Sequence, residues 1–198
     1  MLASGQSEWI ASAAVQRIVG IKRNALDALK NAGVIEERKG KIKMDDVEVL
    51  NAWKKHHHYV TGKGNVDFSR PFGFAVPLTD PNLSPNLELS EKNSADDARR
   101  GLRNQGITLG ENQILSGWWS CQQNMVDRLI AANAPILGIT GGFITTGGYI
   151  DGLALTHPVS ARRAFIVTRM TDTELEKYRG VVGRMNQSGT YVQLPSVS

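Results

Sequence analysis

The chain has 198 residues, of which 41% are hydrophobic and 21% are charged. This composition is typical of a soluble globular protein and excludes a largely disordered chain. The single cysteine, Cys121, excludes an intrachain disulfide and favours a reducing compartment. No apolar run is long enough to predict a membrane span, and the first residues lack the pattern of a signal peptide. We therefore expect a cytoplasmic protein.

The charge distribution separates the chain into two parts. Residues 1–64 contain eleven Lys and Arg against seven Asp and Glu, whereas residues 65–198 contain twelve of each kind. The whole net charge of +4 therefore lies in the N-terminal third. A basic excess confined to one part of a chain is typical of a polyanion-binding domain, although so small an imbalance also arises by chance.

The first predicted elements are two helices separated by a glycine. Apolar residues between Ile10 and Ile18 follow helical spacing, and Gly20 ends this helix with a tight turn. A second helix is predicted from about Lys22 to Asn31, with a glycine stop at Gly33. Two short helices joined in this way indicate a helix-turn-helix.

A short basic hairpin and a third helix follow. The segment from Arg38 to Lys43 has Gly40 between two lysines, which predicts a β-turn with a cationic tip. An ordinary charged turn is the alternative, but the position directly after a helix-turn-helix favours the wing of a winged helix. The apolar pattern from Val47 to Trp53 predicts a third helix that ends near His58.

These elements together resemble the winged helix-turn-helix of MerR-type regulators and phage excisionases. The resemblance is carried by the Gly20 turn, the segment Asn31–Ile35, the basic wing from Arg38 to Lys43, and the Asp45–Leu50 sequence DDVEVL. It covers about a quarter of the chain. The resemblance implies that residues 1–62 form a DNA-binding domain of a bacterial or phage protein.

Candidate DNA contacts follow from the roles of these elements. Recognition helices contact base edges through their N-terminal residues, where arginine recognises guanine and asparagine recognises adenine. Arg23 and Asn24 are therefore the predicted base contacts. The predicted phosphate contacts are the other cations of the second helix and the wing: Lys22, Lys30, Arg38, Lys39, Lys41 and Lys43.

No metal, cofactor or catalytic site is predicted. The three consecutive histidines at 56–58 point to different sides of a helix, so they cannot share one metal ion. The glycine-rich segment that begins near Gly141 lacks the spacing of a phosphate-binding loop. Asp151, His157 and Ser160 could form a triad, but no nucleophile elbow accompanies them. We therefore expect that the protein is not an enzyme.

Residues 63–107 are predicted to be an extended linker or arm. The segment holds four of the seven prolines and shows little periodicity, which is typical of irregular chain. Phe68, Phe72 and Phe74 make it too apolar for a linker alone. We therefore expect an arm that packs on the protein or on a neighbouring subunit.

Residues 108–198 are predicted to form a C-terminal α+β domain for oligomerisation or effector binding. A broad apolar stripe predicts one long helix from about Thr108 to Asn133. Short β-rich segments separated by glycines predict a small, mainly antiparallel sheet. Thr171 and Glu174 have the spacing of a capping box at the start of a further helix.

Two adjacent tryptophans, Trp118 and Trp119, lie on the predicted long helix. Adjacent helical side chains point about 100° apart, so one would enter the core while the other meets a second surface. This arrangement favours a homo-oligomer formed through the C-terminal domain. A helix that is buried on all sides would explain the two tryptophans equally well.

The sequence favours an α+β, DNA-binding protein whose partner is double-stranded DNA, and specifically a bacterial or phage transcriptional regulator. The alternative is a phage DNA-packaging or virion component. In that case the winged helix docks on DNA or protein, and the arm and the C-terminal domain mediate assembly. The long arm favours this alternative.

Overall fold

The computed structural model describes residues 8–62, 64–78, 101–158, 160–183 and 189–195, and the fold is mixed α+β. The helices in these ranges are α1 (Ser12–Val19), α2 (Arg23–Asn31), α3 (Met44–His56), α4 (described over residues 101–104), α5 (Gln123–Ala131) and α6 (Asp172–Glu176). The strands are β1 (Trp9–Ala11), β2 (Glu37–Arg38), β3 (Lys41–Lys43), β4 (His58–Tyr59), β5 (Phe72–Pro77), β6 (Gln113–Leu115), β7 (Trp119–Ser120), β8 (Pro135–Thr140), β9 (Phe143–Thr156), β10 (Arg162–Arg169), β11 (Val181–Val182) and β12 (Thr190–Gln193).

The N-terminal unit, residues 8–56, combines α1, α2 and α3 with a three-stranded antiparallel sheet. The strand order of this sheet is β1-β3-β2. Ile10 belongs to β1 and pairs with Ile42, so the first helix begins only at Ser12. Gly20 ends α1 in the left-handed conformation, with a φ of 70°. The order of elements in this unit is therefore β1-α1-α2-β2-β3-α3.

Apolar side chains from the three helices, from β3 and from the loop after α2 build the core of the N-terminal unit. The buried members from this unit are Val15, Val19, Leu26, Leu29, Ile35, Ile42, Val47 and Leu50. One further member, Phe143, comes from β9 and is 1% exposed. Each fully buried side chain of this size contributes about 1.5–3 kcal/mol, so Phe143 is a substantial part of so small a core.

A nine-stranded sheet, called here the large sheet, forms the rest of the fold. Its main order is β12-β5-β8-β9-β10-β6, with β7 paired to β10 and with β11 joined to both β9 and β4. The β5–β8 and β4–β11 pairs are parallel, and the other strand pairs are antiparallel. The prediction of a small sheet formed by residues 108–198 alone is therefore wrong. The sheet has nine strands, and two of them, β4 and β5, come from earlier parts of the chain.

The segment predicted to be a linker or arm contains β5, which lies between β12 and β8. Five consecutive residues, from Phe72 to Val76, are buried. Both faces of this strand are buried, so apolar residues do not alternate with polar ones along it as they do in a half-buried strand. This part of the predicted arm is a strand of the chain's own sheet, and residues 79–100 lie outside the described residues.

The prediction of one long helix over residues 108–133 is wrong, because much of this segment is extended. β6 and β7 pair with β10, and only Gln123–Ala131 is helical in the second half of the segment, as α5. Between the two strands, the Ser116 hydroxyl accepts a hydrogen bond from the Phe165 amide at 2.8 Å. Long-range pairing with β10 thus overrides a local apolar pattern that also fits a helix.

The two adjacent tryptophans consequently belong to the sheet and not to a helix. Trp119 is 4% exposed and lies in the core that α5 covers, whereas Trp118 packs in a separate cluster with Leu102 and Leu155. The Trp118 ring also meets the ring of His157 edge-on at 5.3 Å. Both side chains make contacts within the chain, Trp119 as a buried and Trp118 as a partly buried residue, and the homo-oligomer formed through them stays a prediction.

The turn between β8 and β9 joins the large sheet to the N-terminal unit. A Cβ atom at Gly141 would lie 2.6 Å from the Ala25 carbonyl oxygen of α2, so only glycine fits there. Phe143 packs into the N-terminal core, with its ring 6.5 Å from that of Trp53 in α3. Arg179 lies 4.1 Å over the same tryptophan ring and donates a hydrogen bond to a β9 carbonyl at 2.9 Å. The N-terminal unit and the large sheet therefore share a core.

Replacing Phe143 by alanine should destabilise the whole chain by about 3–5 kcal/mol, because the change leaves a cavity between α2 and α3. Urea unfolding, followed by tryptophan fluorescence and by far-UV circular dichroism, should show one coincident transition at lower urea. Phe143→Leu is the matched control and should cost clearly less, since it keeps an apolar side chain there. Two separate transitions, of which only one shifts, would contradict a shared core.

Candidate nucleic-acid interface

The N-terminal end of α2 is exposed. Lys22 is its N-cap residue, and Lys22, Arg23 and Asn24 are all exposed to solvent. Leu26 and Leu29 are buried in the N-terminal core and thereby fix which side of the helix faces outwards. The predicted contacts at the start of α2 thus share one exposed surface.

The hairpin of β2 and β3 ends in a two-residue turn at Lys39 and Gly40. Both residues have positive φ, 51° and 76°, which is the pattern of a type I′ turn. Glycine adopts this conformation freely, whereas a residue such as Lys39 pays about 1 kcal/mol for it. The Gly40 carbonyl accepts hydrogen bonds from the Ser12 amide and hydroxyl at 3.2 and 3.1 Å. These bonds hold the hairpin tip beside the start of α1.

Lys30, a predicted phosphate contact, is held by two carboxylates. Its ammonium lies 2.7 Å from Asp27 and 3.3 Å from Glu37, and its side chain is 18% exposed. The hydrogen bond between Asp27 and Lys30 lowers the pKa of the Asp27 carboxyl and raises the pKa of the Lys30 ammonium. Lys30 therefore joins α2 to the hairpin, and its charge is already balanced within the protein.

Two cations of the hairpin are also held in ion pairs. Arg38 lies 2.6 Å from Glu36, and its guanidinium stacks 5.1 Å over the Trp9 ring. Lys43 lies 3.0 Å from Asp45 at the start of α3, and this hydrogen bond raises the pKa of its ammonium. Each of these cations therefore already has an exposed carboxylate partner, which offsets part of its charge.

The other cations of the surface are less engaged. Lys22, Lys39 and Lys41 are exposed, and none of them forms an ion pair within the described residues. The Arg23 side chain is 86% exposed and lies 3.8 Å from Asp27. Cations without internal partners can neutralise phosphates at no internal cost. The unpaired charge therefore lies at two places, the start of α2 and the tip of the hairpin.

A groove of about 320 Å³ lies between the start of α1, the outward side of α2 and the hairpin. Its lining residues are Ser12, Ala13, Gln16, Arg23, Leu26, Asp27, Lys30, Glu37 and Gly40. Of the predicted contacts, Arg23 and Lys30 line this groove, and the hairpin tip contributes Gly40 to it. Lys43 does not line this groove and lies at the opposite end of β3 from the hairpin tip.

Two acidic residues, Asp27 and Glu37, belong to this surface although they are not among the predicted contacts. Asp27 lies four residues after Arg23 and three before Lys30, a spacing at which helical side chains meet, so its pairing could have been found in the sequence. The contact between Glu37 and Lys30 depends on how the hairpin packs against α2, and no local pattern indicates it.

Two of the residues considered for a catalytic triad, Asp151 and His157, make other contacts. The Asp151 carboxylate accepts hydrogen bonds from Gln113 at 2.8 Å and from Thr168 at 2.6 Å. The ring of His157 packs edge-on against that of Trp118. Within the described residues, no group of three His, Cys, Asp or Glu could hold a metal ion.

Comparisons with known proteins add no identification. No protein-family model matches the sequence, and no curated protein or solved structure matches the chain. Among the described helices, none combines the length and the apolar character that crossing a membrane requires. The interpretation of the surface formed by α2 and the hairpin therefore depends on its own geometry and charge.

Lys39→Asn should raise the free energy of unfolding by about 0.5–1 kcal/mol, because asparagine tolerates positive φ better than lysine does. The urea midpoint of the full chain measures this change. Lys41→Asn is the matched control: it removes the same charge from an extended position and should bring no gain. Equal midpoints for the two variants would contradict strain at Lys39.

Proposed function

We propose that the N-terminal unit is a winged helix-turn-helix that binds double-stranded DNA, and that the protein is a bacterial or phage transcriptional regulator. The observation that carries this proposal is the placement of the exposed cations. Lys22, Lys39 and Lys41 are exposed and form no ion pair within the described residues. Arg23, which is 86% exposed and 3.8 Å from Asp27, lines the groove that Gly40 of the hairpin also lines. The order of elements and the confinement of the net positive charge to residues 1–64 support it.

The proposed complex has α2 in the major groove and the hairpin on the DNA backbone. Arg23 is the candidate for a guanine and Asn24 for an adenine, since both side chains project from the first turn of the helix. Lys22, Lys39 and Lys41 neutralise phosphates and fix the position of the unit on the duplex. Lys30 contributes less to phosphate binding in this proposal than the sequence alone indicates, because two carboxylates already hold its ammonium.

The large sheet has a supporting part in this proposal. The β8–β9 turn packs against α2 at Gly141, and Phe143 completes the core beneath that helix. The sheet therefore sets the orientation in which α2 would meet DNA. For the same reason, binding experiments need the full chain and not residues 1–64 alone.

The packaging or virion alternative has less support than the regulator. The long arm of residues 63–107 favoured it, yet β5 in this segment pairs with β12 and β8 of the same chain, and residues 79–100 lie outside the described residues. The tryptophans that indicated self-association are engaged within the chain as well. We therefore keep transcriptional regulation as the proposed function.

A selection of bound sequences from random duplexes, made with the full chain, tests the proposal. A regulator should enrich a defined motif. Its affinity should also fall steeply with salt, with a slope in log K against log salt of about −3 for three phosphate contacts. A flat salt response, or no binding to any duplex, would refute DNA binding as the function.

Arg23→Ala should relax the preference for one base pair, whereas Lys41→Ala should weaken binding to all duplexes alike, by about three- to tenfold. Fluorescence anisotropy with a selected and a random duplex separates the two effects. Lys43→Ala is the control from the same hairpin and should lose less affinity, because Asp45 already holds its charge. If Arg23→Ala lost equal affinity for both duplexes, α2 would not be the recognition helix.

A further inference from the structure

The outward face of α2 carries a carboxylate in its middle. Asp27 lies one helical turn after Arg23, and its side chain is 44% exposed. Its carboxylate lies 2.7 Å from the Lys30 ammonium and 3.8 Å from the Arg23 guanidinium. Any duplex that lies along α2 must therefore approach Asp27 as well as the cations beside it.

The charges around Asp27 make this part of the surface nearly neutral. Arg23 and Lys30 bring two positive charges, and Asp27 and Glu37 bring two negative ones. The hydrogen bond from Lys30 lowers the pKa of the Asp27 carboxyl, so Asp27 is ionised at neutral pH. Lys22 and the cations of the hairpin tip therefore provide most of the attraction for phosphates, and the nearly neutral centre of the α2 face attracts them only weakly.

An ionised carboxylate only accepts hydrogen bonds, which limits what it can contact on DNA. Phosphates and most groups on base edges are acceptors and are disfavoured beside it. The major groove offers two donors, the exocyclic amino groups of cytosine and of adenine. On adenine the N7 acceptor lies beside the amino group and repels a carboxylate, so acidic side chains are better suited to cytosine. Four helical residues rise about 6 Å, so Asp27 would lie about two base pairs from the base that Arg23 contacts.

We propose that Asp27 is a specificity-determining residue of the α2 surface, whose carboxylate accepts a hydrogen bond from the amino group of a cytosine and disfavours other bases at that position. This inference rests on the proposed DNA binding and adds a base preference to it. Asp27 also orients Arg23 and Lys30 through its ion pairs, so that one side chain both arranges the neighbouring cations and selects a base.

The test compares the full chain with Asp27→Asn in selections from random duplexes. Wild type should enrich cytosine at one position, and the variant should lose this preference by about tenfold, the usual effect of one mismatched base pair. The variant should bind random duplexes about two- to fivefold more tightly, because it lacks one charge that repels phosphate. Circular dichroism of each variant confirms that α2 is intact.

Glu37→Gln is the matched control, since it removes a negative charge from the same cluster but from β2. It should tighten binding to random duplexes to a similar extent and leave the cytosine preference unchanged. Asp27→Glu keeps the charge and moves the carboxylate by one methylene, so it should weaken the cytosine preference without tightening random binding.

The outcomes separate this inference from the proposed function. If wild type selects a motif and Asp27→Asn selects the same motif, the inference is wrong and DNA binding stands. If Glu37→Gln loses the cytosine preference as fully as Asp27→Asn does, the effect is one of general charge and the inference is again wrong. If wild type binds no duplex, the proposed function fails and the inference fails with it.

Discussion

The packing of the β8–β9 turn against α2 and α3 is the contact on which the rest of the structure depends. Gly141 lets the turn approach the backbone of α2, and Phe143 fills the core between the helices. Arg179 adds a further contact between the two parts by stacking on the ring of Trp53 in α3. A small helical unit of this kind buries little surface alone, so a residue from the large sheet contributes a large share of its stability. The two parts of the chain are therefore coupled in folding and in orientation.

Ion pairs within the protein already hold several of the cations that were predicted as DNA contacts. Eight basic or amide residues were predicted from the order of elements, yet Lys30, Arg38 and Lys43 are held by carboxylates. The partner of Lys43 is close in the sequence, whereas Glu37 reaches Lys30 only through the packing of the hairpin on α2. Composition and spacing therefore indicate where positive charge lies, and the tertiary structure determines how much of it is unpaired.

The sequence predicted the structure correctly where residues close together in the chain determine it. The capping box of Thr171 and Glu174 is confirmed, with hydrogen bonds in both directions between the two residues. The β-rich character predicted for the last part of the chain is also confirmed, for example by β8 and β10. The failures concern long-range pairing: β5 is buried on both faces and lacks alternation, and the segment around Trp119 has an apolar pattern that fits a helix but pairs with β10.

The most direct test of the proposed interface is to map the surface that meets DNA. Backbone amide chemical shifts of the isotope-labelled full chain can be recorded by NMR while a selected duplex is added. The largest changes should fall on Lys22 to Asn24 and on Lys39 to Lys41, with little change in the strands of the large sheet that are remote from α2. Changes centred on the large sheet, or none with any duplex, would contradict a DNA interface formed by α2 and the hairpin.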